Sequence, residues 1–499
     1  MARGLTPRAI GRKLCTFVPD RDERASQVAM ETFLSLVAND YDGDTTGIGL
    51  KSPKLARFAL RSLVMKTNFL TGDVRAVSPD SDRVKSEIGS LLSIGEDFDS
   101  SENLAVVVAA LRGLIDRSTK NSQPGVQLMY PFHELLLWYD SRNSKREGWS
   151  VRKVAMRGTG ITLARLLSKP EPGGIAGDGI GLMKQLKSAL QHENGVSKIA
   201  AHIDRLAGTE DPTTAQPDEI ESWSLGSDPA LAELGLRLRK FATNVLSVNS
   251  IAYPARLWSL RNMLGLEVAL HILRRSYDLT DTAQLQRYMV VSIGGPKRPD
   301  NFTRQVSEAS LEKSRRTIRE ALIQTISSEI LQLRKIEGID WAKEFEKRSE
   351  LDHLAPHLSD QSQSADELAR QIFESGTYGR PDEAFRRLIE SIGALGGAGA
   401  YRFLEGTPDL FALLVLSMSD MMPMNSREFF HQVFDKWGLI IGSEAMGRTD
   451  LGIRIDASEL ARNARRAENM LVECGLAHSF SDSTTVVGQR VKSMIANVQ

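Results

Sequence analysis

The sequence predicts a mainly α-helical protein of multi-helix, bundle-like domains, with a small α+β module near the C-terminus. Three observations carry that expectation. Apolar residues recur at helical spacing through much of the 499-residue chain, strand signals are few, and helices and strands do not alternate as βαβ units require. A Rossmann or TIM-barrel fold is therefore not expected.

Taken in order, amphipathic stripes predict helices at about 22–38, 53–68, 102–117, 182–206, 229–247, 254–275, 301–336, 365–375, 382–393, 426–437 and 457–474. Ser52-Pro53 supplies a cap and an N1 proline before Lys54–Lys66. The stretch Arg256–Arg275 is apolar nearly all round and predicts a central core helix, within which Arg261 and His271 read as satisfied polar groups. Leu311, Ile318, Leu322, Ile326, Ile330 and Leu333 form one stripe of a long helix. Asp456 and Glu459 have capping-box spacing before Leu460–Cys474, and Gly475 supplies the stop. Strands are expected at Tyr288–Ile293, Leu439–Ile441, Ile453–Ile455 and Thr484–Val487.

One boundary is visible. Between Arg205 and Arg237 there is no Lys or Arg, whereas Glu210, Asp211, Asp218, Glu219, Glu221 and Asp228 all fall there. This Pro- and Thr-containing stretch reads as an acidic linker or loop over 208–228. It separates an N-terminal helical domain with basic faces, 1–207, from a central helical domain, 229–380, and a C-terminal region, 381–499.

Composition narrows the class. The 63 Lys+Arg balance 63 Asp+Glu, so a uniformly basic histone-like binder and a strongly acidic mimic are excluded. Cys15 and Cys474 are too few for a disulfide framework. The start MARGLTPRAIGRKLCTF lacks a continuous apolar core for a secretory signal, and the apolar run Leu410–Leu416 is far below the ~20 residues that span a bilayer. A cytoplasmic protein without membrane association is the expectation.

Motifs for chemistry fail on their spacing. In Gly173–Lys184, Lys184 is followed by Gln185 where a P-loop needs Ser or Thr, and Leu182 stands where GxGxxG needs its third glycine. Asp40, Asp42 and Asp44 open like an EF-hand loop, but Lys51 or Pro53 falls at the bidentate Glu position. His133-Glu134 lacks the second His of HExxH, and Pro356 separates His353 from His357. No catalytic residue, metal site or cofactor is assigned, and an enzyme with a scattered site stays as an alternative.

Charge placement says more. Lys54, Arg57 and Arg61 stand at i, i+3 and i+7 on one predicted helical face in an acid-free stretch, 45–72. Arg152, Lys153 and Arg157 lie in a second basic stretch, 141–169, opposed by Glu147 alone. The first 19 residues add Arg3, Arg8, Arg12 and Lys13 with no acid, and a fourth cluster, interrupted by acids, contains Lys297, Arg298, Arg304, Lys313, Arg315, Arg316 and Arg319. Such faces read either as solvated surfaces or docking sites for acidic partners, or as phosphate-binding faces that gain affinity through salt-dependent counterion release.

Near the C-terminus, a helix at about 426–437, a capped helix at about 458–474 and the turn-rich GLAHSFSDSTTVVG follow one another. This order resembles a winged-helix module, whose second helix commonly enters the major groove, and which serves equally as a protein-docking domain. In that helix Leu460, Ala464, Ala467 and Leu471 are expected to face inward. Arg462, Arg466 and Asn469 share the opposite face at i, i+4 and i+7. Arg and Asn suit guanine and adenine edges.

The resulting expectation is a non-enzymatic helical subunit of a prokaryotic nucleic-acid-associated multiprotein complex, with protein partners and DNA or RNA. Its connection to anti-phage defence or mobile elements is a conjecture that no motif demands. The alternative is a protein-only scaffold or regulator, and the second alternative a nuclease or nucleotide-handling enzyme.

Overall fold

In the computed structural model, the described residues are 7–17, 23–38, 159–168, 228–248, 251, 253–294, 302–335, 363–375, 380–399, 401–453, 455–480 and 484–488, with six short strand pieces besides. They are about 74% helical, with a few small sheets. In chain order the elements are α1 Pro7–Cys15, α2 Ala25–Ala38, β1 Leu55–Ala56, β2 Ile115–Asp116, β3 Gly125–Val126, β4 Asp140–Ser144, β5 Gly148–Arg152, α3 Thr159–Ser168 and β6 Thr209–Glu210. Then follow α4 Pro229–Ser247, α5 Tyr253–Leu279, β7 Met289–Val290, β8 Ser292–Ile293, α6 Phe302–Arg334, α7 Ala365–Ser375, α8 Pro381–Ser391, β9 Leu395–Ala398 and β10 Tyr401–Gly406. The C-terminal part holds α9 Pro408–Ser417, β11 Met424–Asn425, α10 Ser426–Trp437, β12 Leu439–Ile440, α11 Ala457–Glu473, β13 Ala477–Ser479 and β14 Thr485–Val487.

The chain divides into two compact units. One comprises Met1–Ala25, Lys240–Ala252 and Asn262–Gln499; the other comprises Ser26–Arg239 and Tyr253–Arg261.

In the second unit, α2 and α3 approach closely at Gly160. A Cβ there would stand 2.5 Å from that of Glu31, so only glycine fits. The buried Glu31 carboxylate accepts the Gly160 N–H at 2.7 Å, placing negative charge at the α3 N-terminus. Arg239 donates to the Leu166 carbonyl at 2.7 Å. Arg261 lies over the Trp258 ring, 4.3 Å from its centroid.

The first unit is built around strand residues 289–293, α5 and α6. The strand changes neighbours along its length. Met289 and Val290 pair in parallel with Leu439 and Ile440, whereas Ser292 and Ile293 pair in parallel with Glu405 and Gly406 of β10. β9 completes this sheet antiparallel to β10.

Changing partners leaves backbone groups facing gaps, and a buried polar group without a partner costs ~1–3 kcal/mol. Three side chains fill the gaps. Asn463 of α11 donates to the carbonyls of Val291 and Ile441, both at 2.8 Å, and accepts the Ile293 N–H at 2.8 Å. On α6, Ser310 accepts the Val290 N–H at 3.0 Å, and Ser307 serves both the N–H and the carbonyl of Leu404. Tyr288, Val290, Ile440, Leu451 and Leu460 form the apolar core beside this junction, with Phe434 and Val306 against it.

Most predicted helices appear within a few residues of their expected ends: 229–247, 365–375 and 426–437 coincide with α4, α7 and α10. Other expectations are corrected. Leu55–Ala56 is a strand antiparallel to Thr209–Glu210, so the helix does not begin at Pro53. Ile115–Asp116 is likewise a strand, paired with Gly125–Val126, where a helix to about 117 was expected. The expected strand at Ile453–Ile455 begins instead in a 3-10 turn, Asp450–Ile453. Helix 182–206 lies outside the described residues. The α9 helix, capped by Thr407 with Pro408 at N1, and the β9–β10 hairpin were not anticipated.

Candidate nucleic-acid interface

The C-terminal elements are set by local signals. Asn425 caps α10, its side chain accepting the Glu428 N–H at 2.8 Å. Gly438 ends α10 in the left-handed region, φ 67°, where glycine is unstrained, and releases the chain into β12. Two 3-10 turns, Ser443–Arg448 and Asp450–Ile453, lead to α11. Asp456 caps α11 through the Ser458 N–H at 2.6 Å. The Ser458 hydroxyl and N–H hold the Asp456 carboxyl below its ordinary value. The expected capping box is only half formed: the Glu459 carboxylate pairs with Arg462 one turn on.

After α11 the chain turns back as a hairpin. β13 and β14 pair antiparallel, with Ala477 opposite Val487 and Ser479 opposite Thr485. β11 adds to the other side of β14, giving the strand order β11–β14–β13. Ser426 at the start of α10 donates to Glu468 of α11 at 2.5 Å. At the hairpin tip the Phe480 N–H donates to the Thr484 carbonyl at 2.9 Å, and His478 meets the exposed Phe480 ring edge-on at 5.0 Å.

The faces of α11 are clear. Leu460, Asn463, Ala467 and Leu471 are buried, at i, i+3, i+7 and i+11. Ala464, expected inward, is half-buried, and Asn463 takes its place in the interior. Arg462 and Asn469 are exposed as expected. Arg466 is half-buried on the flank, and Arg465 occupies the exposed stripe between them. Among the described residues neither Arg465 nor Arg466 makes an ion pair.

The other basic residues are distributed differently. Lys54, Arg57, Arg61, Lys153 and Arg157 lie outside the described residues, as do Asp40–Asp44, His133, Gly173–Lys184, His353 and His357. Arg152 ends β5, opposite Asp140 in a β4–β5 hairpin. Two arginines of the fourth cluster are used internally. Arg319 binds the buried Asp382 carboxylate at 2.7 Å, Arg315 binds Glu383 at 2.7 Å, and Arg380 binds both oxygens of Asp382 at 3.0 and 3.1 Å. Burial alone would push the Asp382 carboxyl up. The Arg380 and Arg319 hydrogen bonds and charges outweigh it and hold the group below its ordinary value.

His271 is buried, with Nε2 3.2 Å from both the Thr16 hydroxyl and the Cys15 carbonyl. Burial pushes the Cys15 thiol far up, where it is not nucleophilic. Among the described residues no group of three His, Cys, Asp or Glu side chains could hold a metal ion, and no helix is long and apolar enough to cross a membrane. No protein-family profile, curated protein or solved structure matches the chain.

Proposed function

We propose that the chain is a non-enzymatic helical subunit of a nucleic-acid-associated complex, and that residues 408–488 work as a winged-helix-like module presenting α11. The observation that carries this reading is the order α9, β11, α10, α11, β13, β14 with strands arranged β11–β14–β13. That arrangement leaves Arg462, Arg465 and Asn469 along the outer face of α11. A helix of this width fits the major groove, where Arg and Asn can read base edges. The long connection from α10 to α11 is a departure from the compact form of such modules.

A second reading is favoured by charge. Between Pro408 and Gly488 eleven acidic residues face seven Lys and Arg, and Val472 and Phe480 are exposed. Both features suit a protein-docking module. The deciding experiment is binding of the full chain to duplex DNA over a salt series, with Arg462→Ala, Arg465→Ala and Asn469→Ala combined. Loss of affinity with a shallower salt slope, by about 0.9 for each phosphate contact removed, supports nucleic-acid binding. Unchanged DNA affinity with loss of a co-purifying protein identifies a docking module.

A further inference from the structure

We infer that α11 is built for one form of nucleic acid, B-form duplex DNA, and that it reads a short purine run containing two guanines and an adenine. The inference rests on the reading of α11 given above and assigns each side chain of its outer face a separate role.

Arg462, Arg465 and Asn469 stand at i, i+3 and i+7 and are all exposed. At 3.6 residues per turn they fall within about 60° of one another round the helix, and the first and last lie about 10 Å apart along its axis. Bases follow one another at about 3.4 Å along a strand, so the stripe is as long as about three base-pair steps. A groove-bound helix whose reading residues are one turn apart meets successive bases in this way. Asp456 and Glu473 stand at the two ends of α11, where a carboxylate opposes phosphate, and they bound the contact.

The side-chain types select the bases. A guanidinium offers a fork of donors and no acceptor, which matches the neighbouring O6 and N7 acceptors of guanine. A carboxamide offers one donor and one acceptor, which match N7 and N6 of adenine. Both edges lie open in the major groove of B-form DNA. The major groove of A-form RNA is too deep and narrow for side chains to read, so an RNA duplex of the same sequence presents the same edges out of reach.

Two further residues support the readers. The Glu459 carboxylate accepts from Arg462 Nη2, one turn on, while the Arg462 side chain stays 58% exposed. The guanidinium is therefore aimed before DNA arrives, which lowers the ordering cost of its contact; Glu459 is a positioning residue for Arg462. Arg466 is half-buried on the flank of the stripe and, among the described residues, makes no ion pair. A flank of a groove-bound helix faces the sugar-phosphate wall, so Arg466 is assigned a phosphate. Glu468 does not oppose it from the stripe, being bonded to Ser426 of α10.

The test is selection by the full chain from DNA duplexes randomised at their centre, followed by affinity measurements on the enriched duplex, a scrambled duplex and the RNA duplex of the enriched sequence. The enriched sequences should hold two guanines and an adenine within a few successive positions of one strand. Asn469→Ala should flatten the preference at the adenine by roughly 5–150-fold, the effect of one lost bidentate base contact, and leave the guanines selected. Glu459→Ala should relax selection at one guanine, whereas Glu459→Gln, which still accepts from Arg462, should retain it. Arg466→Ala should weaken enriched and scrambled duplexes equally and make the salt slope shallower by about 0.9. Equal affinity for the RNA duplex, enrichment of pyrimidine runs, or an unchanged adenine preference in Asn469→Ala would each overturn the inference while leaving α11 a DNA-binding helix. DNA affinity that survives the combined Arg462, Arg465 and Asn469 substitutions would overturn both this inference and the reading of α11 on which it rests. Thermal melting of each variant is the folding control.

Discussion

The indole N–H of Trp437 donates to the buried carboxylate of Glu267 at 2.7 Å, joining the end of α10 to the middle of α5. Arg274, one turn pair further along α5, approaches the other carboxylate oxygen at 3.9 Å and donates to the Lys436 carbonyl at 2.8 Å. Trp437 also packs on Phe241, their ring centroids 5.1 Å apart. A charge is tolerated in the interior here because a fixed donor and a cation face it.

Trp437→Phe keeps an aromatic ring but removes that donor. Hydrogen bonds to charged groups contribute about 1.5–3 kcal/mol, and the denaturant midpoint should fall accordingly. Glu267→Gln retains an acceptor for the indole and should cost less. Chemical denaturation followed by circular dichroism checks the order; equal or reversed losses would mean that the carboxylate is not held by Trp437.

Asn463 is the test of the strand junction. Asn463→Ala leaves two carbonyls and one N–H facing a cavity, at ~1–3 kcal/mol for each unsatisfied group. The loss should exceed that of Arg465→Ala by at least about 3 kcal/mol, although both side chains leave the same helix. Amide exchange should identify the affected site, with Ile293 losing protection. Comparable stability of the two variants would show that water or a shift of α11 replaces the amide.

Asp382 should impose an acid limit. Its folded value lies below the unfolded value of about 3.9, so the stabilisation is complete above that pH and is lost as pH falls through the folded value. Asp382→Asn should be less stable than the parent at neutral pH and should flatten the decline below about pH 4. Thermal melting between pH 2 and 7 measures both. A decline of unchanged steepness in Asp382→Asn would assign it to other carboxylates.

The two thiols should separate cleanly. Cys15 is fully buried and its thiol is pushed up by desolvation, whereas Cys474 is exposed, with a milder upward push from partial burial and from Glu473 and Asp409. A disulfide reagent at pH 8 should modify one thiol in the native chain and two after unfolding. Rapid native modification of both would place Cys15 in an accessible site.

Helices were legible because burial repeats along them: Leu311, Ile318, Leu322, Ile326 and Ile330 are all in the core of α6. The short strands were harder to read. β9 is Leu-Gly-Gly-Ala and has little strand propensity of its own; it pairs with β10, whose Glu405 and Phe403 side chains crowd Gly396. Within α11 the sequence pattern placed Leu460, Ala467 and Leu471 inward but passed over Asn463, since a polar residue on an apolar face is interpretable only once its backbone partners, 22 to 172 residues away, are known. Arg465 was missed for a related reason. Spacings of i+3 and i+4 both continue a helical stripe, and packing of the flank decides which of two adjacent arginines is exposed.

The strand junction also has a consequence for biosynthesis. Ile293 emerges from the ribosome 170 residues ahead of the asparagine that receives its N–H. At about 5–20 residues per second that interval lasts roughly 10–30 s. For most of it, one side of residues 289–293 has neither β12 nor Asn463, and an open strand edge of Met, Val, Val, Ser and Ile is a template for pairing with another chain. Nascent molecules crowded on one message thus share an adhesive edge that the finished protein lacks. Chains terminated before Leu439 should accumulate in inclusion bodies, whereas chains extending through α11 should not.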